Sequence, residues 1–261
     1  MRFCSIASGS SGNCIFVEDA DSVLLVDAGI SCKRIIEGLN VIGSGIDRVR
    51  GILVTHEHID HIQGIPVLAR KYGIDIYGTR GTLKYIYDRE NGKLGSGRLV
   101  EITADIDFVI DNMRIHPFAI SHDACDPVSY RIEAGGKVFA IATDLGYYDD
   151  YVVENMSGAD GIYLEANHDI NMLMVGNYPY QLKTRIAGPK GHLSNDDAAG
   201  LLVKAGSDRL KAVLLAHLSK ENNYAELAYE TVRAELLEHW KYGTMDMIVA
   251  PRDIPSELFT V

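Results

Sequence analysis

A short apolar run, Gly51-Ile52-Leu53-Val54, feeds directly into the ten residues Thr55 to Gly64, THEHIDHIQG, and this junction constrains the fold more than any other stretch. The apolar run reads as a buried strand. Within the six positions that follow Thr55 stand His56, His58, Asp60 and His61. Side chains two apart in an extended exit from a strand share a side, so His56 and His58 can grip one ion together. Asp60 and His61 open the amphipathic stretch Ile62 to Tyr72, and from a helix start they point at a second ion close by. A lone histidine is more often a hydrogen-bonded structural residue. Four ligand-type side chains in this order point instead to metal.

At 261 residues, with 47% hydrophobic content and 23% charge, the chain is long enough for a sizeable core, and one α/β domain over residues 1–261 is the simplest expectation. A net charge of −11 argues against a broad basic surface that grips nucleic acid by counterion release. Any anionic substrate must be held locally, by metal ions or a small basic patch. Cys4, Cys14, Cys32 and Cys125 show no CxxC spacing, and nothing at the N-terminus reads as a signal peptide. Free thiols in a cytoplasmic protein follow, buried as small hydrophobes. No apolar run approaches the roughly 18 to 20 residues that span a bilayer, so no membrane partner is expected.

The chain opens as strand, turn, strand: Arg2 to Ala7, the loop Ser8-Gly9-Ser10-Ser11-Gly12-Asn13, then Cys14 to Glu18. Such a loop offers backbone N–H groups and small hydroxyls to an anion, and equally describes any tight hairpin. Val23 to Gly29 is a buried strand ending in Asp27. A short helix over Ser31 to Leu39 precedes the metal-motif strand. Ile74 to Tyr77 reads as a strand and Thr79 to Asp88 as a helix. Between Arg70 and Arg98 lie seven basic residues against three acids, either a phosphate-contacting patch or a solvated helix face. From Leu99 the pattern turns to β: Leu99 to Ile102, Phe108 to Ile110, Met113 to Ile120, Ser129 to Ala134 and Val138 to Ala142. His122 follows the third of these strands and Asp144 the last. A helix around Asp149 to Met156 leads to the strand Gly161 to Glu165, which is followed by Ala166-Asn167-His168-Asp169. Gly191-His192-Leu193-Ser194-Asn195 opens a helix over Asp196 to Ala205, with Ser194 or Asn195 as N-cap. Ala212 to Ala216 is a strand that delivers His217. A helix from Asn223 to His239 and a strand from Asp246 to Ala250 close the chain. His116 and His239 read as structural.

The string His56-x-His58-x-Asp60-His61 after an apolar strand resembles the signature of the metallo-β-lactamase superfamily. The resemblance implies that superfamily's αββα four-layer sandwich. It implies one metal on His56, His58 and His122, a second on Asp60, His61 and His217, and Asp144 as the carboxylate between them. Asp27 matches an aspartate that orients the metal site without binding the ion. The true lactamases commonly carry cysteine where this chain has Asp144, which argues against that branch. Histidine at position 58, where the flavodiiron branch carries glutamate, argues against oxygen or nitric oxide reduction.

The Glu165-Ala166-Asn167 and His192-Leu193-Ser194 blocks resemble those of ribonuclease Z, in which a glutamate and a histidine form a dyad beside the metals. An acid that orients and charges an imidazole suits proton delivery to a leaving alkoxide. Together with the Ser8 to Asn13 loop, Glu165 to Asp169 and Gly188 to Asn195 look like the YycJ/WalJ group, which resembles ribonuclease Z without its protruding arm and without a β-CASP insertion. The implied activity is that of a metal-dependent phosphodiesterase, a 5′-to-3′ exonuclease on DNA, in which a hydroxide bridging two divalent ions (Zn, Mn or Fe) attacks phosphorus and His192 protonates the departing oxygen. Asp60, His192 and Glu165 are the expected catalytic groups, with Ser10, Asn13, His168 and Lys190 as substrate contacts, and Lys183 and Arg185 close to the phosphate backbone. Two other classes stay open. A phosphodiesterase for small cyclic or nucleotide diesters would use the same groups and sits well with the net charge. A glyoxalase-like thioester or lactone hydrolase would share the first metal cluster, but Gln63 and the Glu165/His192 pair speak against it. A non-catalytic binding protein fits least, since no ligand position has been lost.

Overall fold

The structure is a computed structural model that describes all 261 residues. In chain order its elements are β1 Arg2–Ala7, β2 Cys14–Asp19, β3 Ser22–Val26, α1 Cys32–Val41, β4 Val49–Leu53, α2 Ile59–Ile62, α3 Ile65–Tyr72, β5 Ile76–Thr79, α4 Arg80–Arg89, β6 Leu99–Ile102, β7 Phe108–Ile110, β8 Met113–Ala119 and β9 Val128–Ala134. There follow β10 Lys137–Ala142, α5 Asp150–Met156, β11 Gly161–Glu165, α6 Ile170–Val175, α7 Tyr180–Ile186, α8 Asn195–Ala205, β12 Ala212–Ala216, α9 Ala225–His239, β13 Asp246–Val249 and β14 Phe259–Thr260. The chain forms two compact units, one of Met1–Ala119, Ala124–Gly136 and Pro251–Thr260, the other of Ile120–Asp123, Lys137–Ala250 and Val261.

In the first unit a sheet runs in the order β14-β1-β2-β3-β4-β5-β6. Its β1-β2-β3 part is antiparallel, and β3 to β6 pair in parallel. Parallel neighbours need crossovers, which α1, α3 and α4 supply. The buried faces of these helices, Ile35 and Leu39, Ile65 and Leu68, and Leu83 and Ile86, join Phe16, Leu25, Ile52 and Ile76 in one core. β7, β8 and β9 make an antiparallel meander in which Met113, Ile115 and Pro117 are buried and Arg114 is exposed. His116 Nδ1 faces Asp107 Oδ1 across 2.5 Å.

The stretch expected to be one helix from Ile62 to Tyr72 is two. Gly64 turns its N–H to Ala28 O at 2.7 Å, and Pro66 has no N–H to give, so the helix restarts at Ile65. Asp60 and His61 therefore lie within the short α2, which His58 caps. The basic stretch also resolves: Arg70 pairs with Glu90, Lys84 with Asp88 and Arg98 with Asp75, so much of its charge is answered locally.

In the second unit β10, β11, β12 and β13 are parallel neighbours, with Ala142 opposite Leu164 and Leu164 opposite Leu215. Their unbroken apolar runs fit strands covered on both faces. Asp149 caps α5 by accepting from Val152 N–H at 3.1 Å, and Ser194 caps α8 by accepting from Asp197 N–H at 3.0 Å. That cap starts α8 at Asn195, one residue earlier than expected. α9 starts at Ala225 rather than Asn223, because the Asn223 amide is drawn to Ala166 O and Asn167 O. No helix is long and apolar enough to cross a membrane.

Candidate active site

In the first unit β3 and β4 end side by side, and both tips are polar and buried. Asp27, in the left-handed region at φ 60°, accepts Thr55 N–H on Oδ1 and Thr55 Oγ1–H on Oδ2, each at 2.8 Å. Its Oδ2 also stands 2.7 Å from His61 Nδ1, while Thr55 Oγ1 is 3.0 Å from His56 Nδ1. Both imidazoles thus turn Nδ1 to a protein oxygen, the orientation in which Nε2 is the metal-donating atom. The His56 ring lies 4.5 Å from His58 and 4.2 Å from His61, centroid to centroid, and Asp60 Oδ2 is 3.7 Å from His61 Nε2.

The Ser8 to Asn13 loop is pinned to this cluster. Asn13 N–H donates to Asp60 O at 2.8 Å, its Nδ2 lies 3.1 Å from His61 Nε2, and its Oδ1 accepts Gly9 N–H at 2.8 Å. Gly29 makes the approach possible: a Cβ there would stand 1.6 Å from Asp60 O. Ser10 is exposed at the loop tip. Glu57, between the two histidines, points elsewhere and accepts Cys125 N–H at 2.7 Å and Thr82 Oγ1–H at 3.3 Å. Burial works to raise its carboxyl, but these bonds outweigh it and hold Glu57 below the usual range.

In the second unit β10, β11 and β12 deliver Asp144, Glu165 and His217 at their carboxyl ends. Asp144 and His217 both sit in the left-handed region, at φ 55° and 54°, which non-glycine residues rarely adopt away from turns. Glu165 is fully buried. Its Oε1 is 2.8 Å from His192 Nδ1 and 3.0 Å from His217 Nδ1, and its Oε2 accepts Leu145 N–H at 2.9 Å and Leu193 N–H at 3.3 Å. Burial works to raise this carboxyl, and the facing His192 overcomes it, leaving Glu165 at about 2. Burial likewise opposes charge on His192, but Glu165 and then Asp144 hold the imidazole above its ordinary range. Asp144 Oδ1 lies 3.2 Å from His217 Nδ1, 3.5 Å from His192 Nδ1 and 3.8 Å from His122 Nε2. His122 Nδ1 is 3.0 Å from Gly191 O, again leaving Nε2 as the donor atom.

Asp144, Glu165, His192 and His217 each bring one ligand atom into a group spanning no more than 4.8 Å. Two carboxylates and two imidazoles so placed, with no thiolate among them, suit a hard or borderline divalent ion. In the first unit His56 and His61, each oriented by an oxygen on Nδ1, suit the same.

His168 is buried, its Nδ1 has no hydrogen-bond partner, and burial favours its neutral form. Its C=O accepts Asn195 N–H at 2.9 Å. Lys190 is exposed. Thr55, to which the sequence reading gave no role, ties Asp27, His56 and His61 together, and its place directly before the first histidine was the available signal. Asn195 and Asn223, joined by reciprocal amide bonds at 3.2 and 2.8 Å, brace the Glu165 loop; Asn195 stood in the Gly188 to Asn195 string as a candidate N-cap, and Asn223 carried no motif to announce it.

Residues 23–218 match the sequence model of a family described as "Beta-lactamase superfamily domain". The chain belongs to the metallo-β-lactamase superfamily, with the mixed α/β fold of two helix-flanked sheets. Within it, the chain is similar to Exodeoxyribonuclease WalJ of Streptococcus pneumoniae serotype 2 (strain D39 / NCTC 7466), with 40% identity over 238 residues, 91% of this chain and 88% of that protein. It is also similar to Exodeoxyribonuclease YycJ of Bacillus anthracis, at 36% identity over 243 residues, 93% of this chain and 91% of that protein. The structure of Zn(2+)-bound PqqB from Methylobacterium extorquens shares the fold, with a TM-score of 0.74 over 98% of this chain and all of that one (100%), at 16% identity.

Proposed function

We propose that the chain is a metal-dependent exonuclease that degrades DNA stepwise from the 5′ end. The observation that carries this reading is the Glu165–His192 pair at 2.8 Å, set beside Asp144 and His217 at the tips of adjacent parallel strands. The similarity to two exodeoxyribonucleases over most of the chain supports DNA as the substrate.

By motif order, His56, His58 and His122 would hold one divalent ion and Asp60, His61 and His217 the other, with Asp144 as a carboxylate that could serve both. Such ions, Zn, Mn or Fe, supply Lewis acidity toward phosphoryl oxygens and lower the pKa of water well below its bulk value of about 15.7. The protein's own groups do the rest. Asp27 fixes the His61 tautomer. Asn13 holds the Ser8 to Asn13 loop, with Ser10 at its tip, against Asp60 and His61 as a phosphate contact. Glu165 keeps Nδ1 of His192 engaged and favours the protonated ring, so that a proton on Nε2 can go to the departing oxygen. His168 and Lys190 flank this dyad in sequence and are assigned to substrate. Four cysteines free of disulfides, three of them buried, suit a reducing compartment such as the cytoplasm.

The test is cleavage of end-labelled duplex DNA, with and without a 5′-phosphate, beside single-stranded DNA and RNA, in Mn²⁺ and in Zn²⁺. Stepwise 5′ release that Asp144→Asn abolishes and His192→Ala strongly slows is the expected result. Intact polymers beside rapid hydrolysis of a small cyclic or nucleotide diester would overturn it in favour of the reading that the net charge of −11 favours.

A further inference from the structure

The chain from Ile170 to Gly191 stands apart from the rest of the protein in charge. It contains Lys183, Arg185 and Lys190 and no aspartate or glutamate, in a chain whose net charge is −11. Several of the protein's solvent-facing apolar side chains also fall here. Val175 is 84% exposed, Tyr180 77% and Met174 54%. Soluble surfaces seldom gather large apolar side chains without a use for them.

The segment is a built element. Leu173 is buried, and Asp169 caps α6 by accepting from Met172 N–H at 2.7 Å. Lys183 Nζ donates to Met174 O at 2.6 Å, tying α7 to the end of α6. Both ends are anchored at the dyad: β11 ends at Glu165 shortly before α6, and His192 follows Gly191. The backbone at Pro189 and Gly191 lies against Gly146, where a Cβ would stand 2.3 Å from Pro189 O. Tyr147, 49% exposed, follows directly.

Arg185 is answered by Asp123 at 2.6 Å, which leaves Lys183 and Lys190 as the cations without a carboxylate partner. Exposed aromatic and aliphatic faces beside two such lysines are what an unpaired polynucleotide strand requires: bases stack on the rings and phosphates meet the lysines. A duplex hides its base faces and would use only the charge. The basic stretch from Arg70 to Arg98 answers Arg70 and Arg98 with its own acids, Glu90 and Asp75. We propose that the α6–α7 segment is a docking surface for single-stranded DNA leading to the dyad, with Tyr180 and Val175 beneath the bases and Lys183 and Lys190 on the phosphates. This rests on the nuclease reading for the direction of the strand, while the binding itself does not depend on turnover.

The test uses the metal-loaded protein and a fluorescent, phosphorothioate-linked oligothymidylate that resists cleavage, read by anisotropy. The double variant Val175→Ser/Tyr180→Ser, changed only at exposed positions, should keep its melting temperature and bind the oligonucleotide about tenfold more weakly. Lys190→Gln should reduce the slope of log affinity against log salt by about 0.7. On cleavable single strands the double variant should raise KM and leave kcat alone, and blunt duplex binding should change less than about twofold. An unchanged oligonucleotide affinity overturns the proposal, as does an equal loss on duplex. Conversion of a wild-type dimer to a monomer by the double variant would identify the face as a self-interface and also overturn it. Tight oligonucleotide binding that the double variant loses, in a protein that cleaves no DNA, would keep this surface and remove the nuclease reading.

Discussion

Glu165 holds two imidazoles through one oxygen: Oε1 lies 2.8 Å from His192 Nδ1 and 3.0 Å from His217 Nδ1, with the carboxylate wholly out of water. A histidine proposed to move a proton and a histidine proposed to bind metal thus share an anchor. Removing the His192 imidazole should lower kcat by about 10²- to 10⁴-fold. Because the pair acts as a unit, the Glu165→Gln/His192→Ala double variant should be no slower than the slower single variant. Single-turnover rates on one labelled strand decide this, and additive losses would separate the two roles.

Asp27 touches no expected ion, yet it orients His61 across 2.7 Å and Thr55 across two bonds of 2.8 Å. Asp27→Asn should weaken binding of a divalent ion by about 10- to 100-fold. Calorimetric titration of the metal-free protein with Zn²⁺ or Mn²⁺ measures it, independent of turnover.

Metal should also report on stability. If ions bind the folded chain alone, free metal at about 100 times Kd adds about 2.7 kcal/mol. For a chain of this size that is a rise in Tm of about 5 to 10 °C. Scanning calorimetry with and without a chelator checks it, and Asp144→Asn should lose most of the rise.

Asp160 supplies a pH test away from the candidate site. Nearly buried, it accepts Val138 N–H at 2.9 Å and pairs with Arg209 at 2.6 Å and Lys137 at 3.3 Å. Burial works to raise its carboxyl, and these partners outweigh it, so the folded pKa lies below the ordinary value of 3.8. The stabilisation is therefore fully present above that ordinary value and is lost as pH falls through the lower folded one. Asp160→Asn should cost about 1 to 3 kcal/mol at neutral pH and flatten the acid limb of the stability curve. Urea unfolding at pH 7 and near pH 3 measures both.

The strands and the chemistry at their tips were legible in the sequence because unbroken apolar runs stop where a polar ligand type begins, as at Val54, Ala142 and Ala216. The α6 and α7 helices were not. Six and seven residues hold fewer than two turns each, too short for an apolar periodicity to register, and their exposed faces carry hydrophobic residues. The break between α2 and α3 was missed because the Gly64 N–H is drawn to Ala28, a partner far off in the chain. The brace between Asn195 and Asn223 was invisible for a similar reason, since its value lies in a mutual contact; Asn195 by itself reads only as a candidate helix cap.

The level alignment of β10, β11 and β12, with Ala142, Leu164 and Leu215 abreast, has an evolutionary consequence. The ladders that hold these strands end just short of Asp144 and His217, so a side chain at either tip can change without disturbing a backbone hydrogen bond of the sheet. A lineage built on this scaffold can exchange one tip residue at a time without breaking the sheet, within the set of residues that tolerate the left-handed backbone at Asp144 and His217.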